Sequence, residues 1–182
     1  MMKKIYTMLM MVMMAVAFTS CEDAEVARTL EGTWRGNMYI STSYGGRTYD
    51  ATETEVTFLR DPYTYSSGTG YWVDYYSTAP WDYVANHIEW RVDYGVIYVY
   101  FVEENTEIRI SDYRLNGSTF YGTINDNGRP VDFELYYYSR PAGYYNGLRW
   151  GYDYWTRTRG ASDSTNVEKP VRFVNPELKV VE

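Results

Sequence analysis

Few side chains in this chain combine a reactive type with a useful spacing. The single histidine, His87, is the natural general base, and Ser77 and Asp82 lie close to it in sequence. A serine nucleophile needs such a base within hydrogen-bond reach and a third group to orient it. The Gly-x-Ser-x-Gly turn that presents such a serine is absent, so His87 reads as a loop-edge residue at the start of a strand. One histidine and one cysteine do not make a zinc set of the usual spacing. Asp126-Asn127-Gly128 and Glu103-Glu104-Asn105 offer oxygens for weak calcium binding, but neither follows the twelve-residue calcium loop, and turn formation accounts for both. With 24 acids, chance alone sets some pair at the ~5–9 Å separation of glycoside cleavage, so spacing nominates none. No glycine-rich phosphate loop is present. The expectation is a protein that is not an enzyme and uses no metal or cofactor.

The remaining reactive side chain is the only cysteine, Cys21. Lys3 and Lys4 precede an apolar run from Ile5 to Phe18. That run is too short for a bilayer core, which needs roughly 20 residues, and it has the pattern of a secretory signal over residues 1–20. The closing Phe18-Thr19-Ser20-Cys21 resembles the lipobox of bacterial lipoproteins. The resemblance implies that Cys21 is lipidated and becomes the mature N-terminus; the alternative is a spare free thiol. Cys21-Glu22-Asp23-Ala24-Glu25 resembles the acidic export signal of Bacteroidetes lipoproteins. That implies a membrane partner through the lipid, on the outer face of the outer membrane, whereas the plainer reading is a solvated acidic tether. With no second cysteine, the fold holds without a disulfide.

Without residues 1–20 the chain has 162 residues, enough for one domain with a real core. It keeps 15 bases against 24 acids, a net charge of about −9, which repels nucleic acid. Of the 22 tyrosines only Tyr6 is lost, and all six tryptophans remain. The only lysines left are Lys169 and Lys179, so every base between them and the anchor is an arginine, the cation that stacks on aromatic faces.

These residues must be positioned by strands. A short helix is expected over Asp23–Leu30, within an anchor and lead-in at 21–30. After it, runs of Val, Ile, Thr, Tyr, Phe and Trp alternate between turn signals. Eight strands are expected: Gly32–Thr42, Ala51–Arg60, Gly70–Tyr76, His87–Asp93, Val96–Val102, Glu107–Leu115, Ser118–Asn125 and Pro130–Tyr138. Gly45-Gly46, Asp61-Pro62, Tyr94-Gly95 and Asp126-Asn127-Gly128 mark turns. Asn116-Gly117 predicts a two-residue type I′ turn, and Ser77–Asn86 a loop at one mouth. Ile88, Trp90 and Val92 share a face with Glu89 and Arg91 opposite, and Val131, Phe133 and Leu135 repeat the pattern. Short links imply an antiparallel up-and-down meander, and one apolar face without covering helices requires closure into an all-β barrel. The barrel domain is placed at 31–140, an aromatic-rich extension at 141–159 and a polar, mobile tail at 160–182.

Gly32-x-Trp34 at the start of the first strand resembles the Gly-x-Trp motif of lipocalins. The resemblance spans roughly residues 25–140 and implies a lipocalin or calycin type of barrel. It also implies that Trp34 plugs the closed end beneath a late arginine, with Arg140 the first candidate and Arg149 the second. Two binding roles follow. An eight-stranded barrel can enclose one small apolar or amphipathic ligand, with Val56, Phe58, Trp72, Trp90, Val92 and Phe120 as inward contacts; a filled core is the alternative. A surface module would instead use loop aromatics, Trp81, Tyr83, Trp150 and Trp155, to hold a glycan or a partner protein.

Overall fold

The computed structural model describes residues 22–139, 144–152 and 169–180. Cys21, Arg140 and Trp155 lie outside the described residues, as does most of the stretch between the aromatic extension and the last strand.

A helix, α1, runs over residues 22–30. Glu22 and Asp23 suit its N-terminal dipole, and Glu25 pairs with Arg28 one turn on at 2.5 Å. Asp23, Ala27 and Leu30, spaced four and three apart, form its buried face. Ten strands follow: β1 (Gly32–Asn37), β2 (Ile40–Tyr44), β3 (Arg47–Arg60), β4 (Ser67–Tyr76), β5 (Tyr83–Asp93), β6 (Val96–Phe101), β7 (Thr106–Leu115), β8 (Thr119–Asp126), β9 (Arg129–Tyr137) and β10 (Val171–Val174).

Eight of them close into an antiparallel barrel. β3 to β9 pair in sequence order, and β1 seals the ring by pairing with β9 on one side and β3 on the other. The expected barrel is therefore present, with two corrections to its strands. The first expected strand, Gly32–Thr42, is two. Asn37 Oδ1 accepts from the backbone N of Tyr39 at 2.8 Å, and Tyr39 turns the chain at φ 54°. β2 then leaves the barrel and pairs with the first residues of β3. The expected loop Ser77–Asn86 is shorter, because β4 and β5 stay paired as far as Tyr75↔Tyr83.

Turn chemistry decides the hairpins. Gly45-Gly46, Tyr94-Gly95 and Asn127-Gly128 each supply the two successive positive φ angles that a type I′ turn needs. Asn116-Gly117 does not: neither residue takes positive φ. Asn116 Oδ1 instead accepts from the backbone N of Ser118 and of Thr119, both at 2.9 Å, so the side chain locks a different turn. Glycine is required between β3 and β4, where a Cβ on Gly70 would sit 1.9 Å from the Thr57 carbonyl oxygen.

The two barrel ends are closed differently. α1 lies across the end where β1 starts: the Asp23 carboxylate accepts from the backbone N of Tyr94 and Gly95, both at 3.0 Å, and Trp34 Nε1 donates to the Leu30 carbonyl at 2.8 Å. At the other end β10 pairs antiparallel with β2, with Arg172 opposite Thr42. The expected mobile tail is thus in part a strand. Its physical reason is the free edge of β2, which gains hydrogen bonds by pairing.

Trp34 is fully buried, edge-on to Phe120 and Tyr137 at 5.8 and 5.4 Å. Trp34→Ala removes this ring from a closed core and is expected to cost about 3–5 kcal/mol in urea unfolding. A loss below 1 kcal/mol would show that Trp34 does not hold the barrel end.

Candidate functional site

The inward stripe of β4 carries Trp72 and then Asp74, a charge on a core face. Asp74 is fully buried and accepts three side-chain hydrogen bonds. Thr54 Oγ1 and Trp72 Nε1 donate to its Oδ1 at 2.7 and 2.9 Å, and Arg172 Nε donates to its Oδ2 at 2.8 Å. Arg172 reaches this point from β10, and its side chain is only 4% exposed. Its guanidinium lies over Phe101 and Trp72, 4.2 and 4.9 Å from the ring centres. Such a cation is tolerated there because the carboxylate and the two ring faces replace water.

Around this pair lie further polar groups. Asn86, paired with Trp72 across β4 and β5, donates to Glu104 at 2.8 Å. The Thr42 hydroxyl bonds those of Tyr76 and Tyr152, both at 2.8 Å. Among the buried side-chain atoms of the described residues without a hydrogen-bond partner are Arg172 Nη2, Asn86 Oδ1 and Trp81 Nε1. Burial raises the Glu104 carboxyl above the usual carboxylate range, against the pull of Arg172 and the Asn86 hydrogen bond. Burial also lifts the Tyr76 and Tyr152 hydroxyls well above ordinary tyrosine, helped by Asp74 and by Tyr76 respectively. For Arg172 burial favours proton loss, but Asp74 and Glu104 outweigh it and hold the charge on.

A cleft of about 470 Å³ opens over this network. Arg172, Glu104, Thr106, Tyr152, Pro170 and Trp150 are among its walls. Trp150 is fixed by an aromatic ladder on the outside of β4 and β5. It lies 3.9 Å from the His87 ring and 5.4 Å from Tyr71, which in turn stacks on Tyr145 at 4.4 Å. The backbone N of Gly151 donates to the Ala85 carbonyl at 2.7 Å and ties this segment to β5.

The residues singled out in the sequence fall differently. Val56, Phe58, Trp72, Trp90, Val92 and Phe120 are all buried in the core. Their rings pack on rings: Phe58 on Trp90 at 5.5 Å, Trp72 on Phe101 at 5.1 Å, Phe120 on Phe133 at 5.0 Å. Trp81 is not a surface residue. It is 3% exposed, edge-on to Tyr44, Tyr49, Tyr76 and Tyr152, because the mouth needs a large apolar plug. Tyr83 is half-buried and accepts from the backbone N of Arg149 at 3.2 Å. His87 Nδ1 meets Glu103 at 2.5 Å, while Ser77 and Asp82 are exposed on the preceding loop. Asn105 Oδ1 accepts from Tyr100 at 2.7 Å, so Glu103-Glu104-Asn105 is a turn whose side chains all have protein partners.

Arg172 and Asp74 carried no weight in the sequence. A signal existed for Asp74 and Asn86, since each occupies an inward position on its strand. None existed for Arg172, whose strand has four residues and lies 98 positions from Asp74.

No family model matches the chain, and no curated protein matches it. Among solved structures, a redesigned β-barrel is similar over 63% of this chain and 95% of its own, with 10% identity and a TM-score of 0.37.

Two outcomes test the network. Asp74→Leu strands the guanidinium and is expected to cost about 3–5 kcal/mol in urea unfolding, most of it recovered in Asp74→Leu/Arg172→Met. An additive double change would separate the two residues. Because the folded chain holds the Glu104 proton more tightly than the unfolded chain (about 4.3 for free Glu), this carboxyl favours the fold at low pH. That contribution is lost as pH rises from the unfolded value through the raised folded one. Glu104→Gln is therefore expected to raise the melting temperature at pH 7 but not at pH 4; an equal effect at both would exclude the carboxyl.

Proposed function

We propose that this protein is a lipid-anchored, non-catalytic binding protein of the outer membrane, a lipocalin-like lipoprotein. On this reading it is tethered through Cys21 and takes a small amphipathic ligand at the mouth of its barrel. The observation that carries the binding role is the buried Arg172, with one nitrogen unfilled, in the wall of the mouth cleft. A buried donor without a partner costs stability unless something supplies the acceptor. Apolar and polar groups also share that cleft, as small-molecule sites require.

The site differs from the one expected inside the barrel. The inward rings already pack on one another, so the favourable place for a ligand is above them. Trp150 belongs to this site and, among the described residues of the surface set, is the one that lines it.

The anchor reading rests on the sequence of the signal and Cys21. Two acyl chains hold a protein stably at ~0.8 kcal/mol per buried CH₂. Cys21→Ala is expected to move the protein from the membrane fraction to the soluble fraction of its host; retention in the membrane would reject a lipid tether there. For the binding role, native mass spectrometry of the full-length protein, released from detergent, should carry a small-molecule adduct that Trp150→Ala loses. An adduct unaffected by Trp150→Ala would move the ligand away from the mouth.

A further inference from the structure

We infer that the mouth cleft is a carbohydrate site, and that its ligand is an uncharged sugar ring rather than a fatty, anionic or cationic molecule. This rests on the reading of the cleft as a small-molecule site and adds the chemical class.

Three observations select that class. The first is an unfilled group in the wall: Arg172 Nη2 needs an acceptor. A hydroxyl oxygen accepts, and a sugar presents several on one ring. An alkyl chain offers no acceptor.

The second is charge. The Arg172 cation is already matched by Asp74 at 2.8 Å. Glu104 and Glu103 bring two further carboxylates to the cleft, against Lys169 alone. An incoming anion meets this surplus at short range, and Glu104 is already disfavoured as a carboxylate by its burial. A cation must come to rest beside the Arg172 guanidinium. A neutral ligand avoids both conflicts.

The third is a fixed aromatic wall. Trp150 lines the cleft, and its ring is held against His87 and Tyr71, at 3.9 and 5.4 Å. A ring held in place before binding loses little freedom when the C–H face of a sugar stacks on it. Another groove, about 790 Å³ beside the turn between β3 and β4, has no unpaired buried side-chain atom among its described lining residues. Two of its arginines are committed to ion pairs, Arg60 with Glu31 and Arg91 with Glu107.

The test uses one ring scaffold with three charges. Glucose, galactose and N-acetylglucosamine serve as neutral probes, glucuronate as the anion and glucosamine as the cation, with decanoate as an apolar control. Each is titrated into the full-length protein in detergent and followed by tryptophan fluorescence and ligand-observed NMR. At least one neutral sugar is expected to bind tenfold or more tightly than glucuronate and glucosamine. Trp150→Ala should weaken it at least tenfold. Thr106→Trp, a change at an exposed wall residue, should block it with the fold intact by circular dichroism. Glu104→Gln should narrow the gap between glucuronate and the neutral sugar. Tighter binding of either charged sugar overturns the inference. So does binding of decanoate alone, lost in Thr106→Trp, which would leave the cleft as a binding site of a different class. If no probe binds and a crystal structure shows only water at Arg172 Nη2, both the class and the site fall.

Discussion

A sheet with one apolar face and no helices to cover it has to bury that face against itself. β1 makes this closure by pairing with β3 and β9 at once, over five and four residue pairs. Everything else follows from it. Once the sheet is a ring, the inward rings of Trp34, Phe58, Trp72, Trp90, Phe101 and Phe120 share one core. The sheet no longer has side edges to protect, but the barrel has two open ends.

Those ends are closed by unlike means. Helix α1 closes one end with apolar contacts and a carboxylate on two backbone amides, an arrangement that leaves its main polar groups satisfied. At the other end β2 departs from the ring and brings β10 with it. That strand carries Arg172 into the core, where it needs Asp74 and two aromatic faces to be tolerated. A charge in such a place is rarely optimal for stability, since a well-packed apolar pair of the same volume serves as well or better. Among the described residues the mouth also keeps buried polar atoms unfilled, Arg172 Nη2 and Trp81 Nε1 among them. Departures of this kind from good packing concentrate where a protein meets a ligand.

The aromatic richness of the chain divides between these tasks. Trp81 and its four tyrosine neighbours plug the mouth from within, edge to face. Tyr145, Tyr71, Trp150 and His87 form a ladder outside β4 and β5 and hold the cleft wall in place. The same residue types thus serve as core, as mouth plug and as cleft wall, and composition does not separate these places.

What the sequence determined alone is what local physics controls. Alternation assigns each strand its inward face, because side chains repeat every two residues. Gly45-Gly46 and Asn127-Gly128 dictate tight turns, because glycine and asparagine enter positive φ at little cost, and Gly95 does the same after Tyr94. Together these imply an antiparallel ring of eight strands. Asn116-Gly117 marks the limit of that reasoning, since one side-chain hydrogen bond diverts the same kind of dipeptide to another turn. The tertiary structure alone decided where β10 goes, why Trp81 is buried, and that Arg172 meets Asp74 across 98 residues. A four-residue strand is too short to show a period, and a pairing over such a distance leaves no local pattern. Only the closed barrel, with the free edge of β2 at its mouth, brings those groups together.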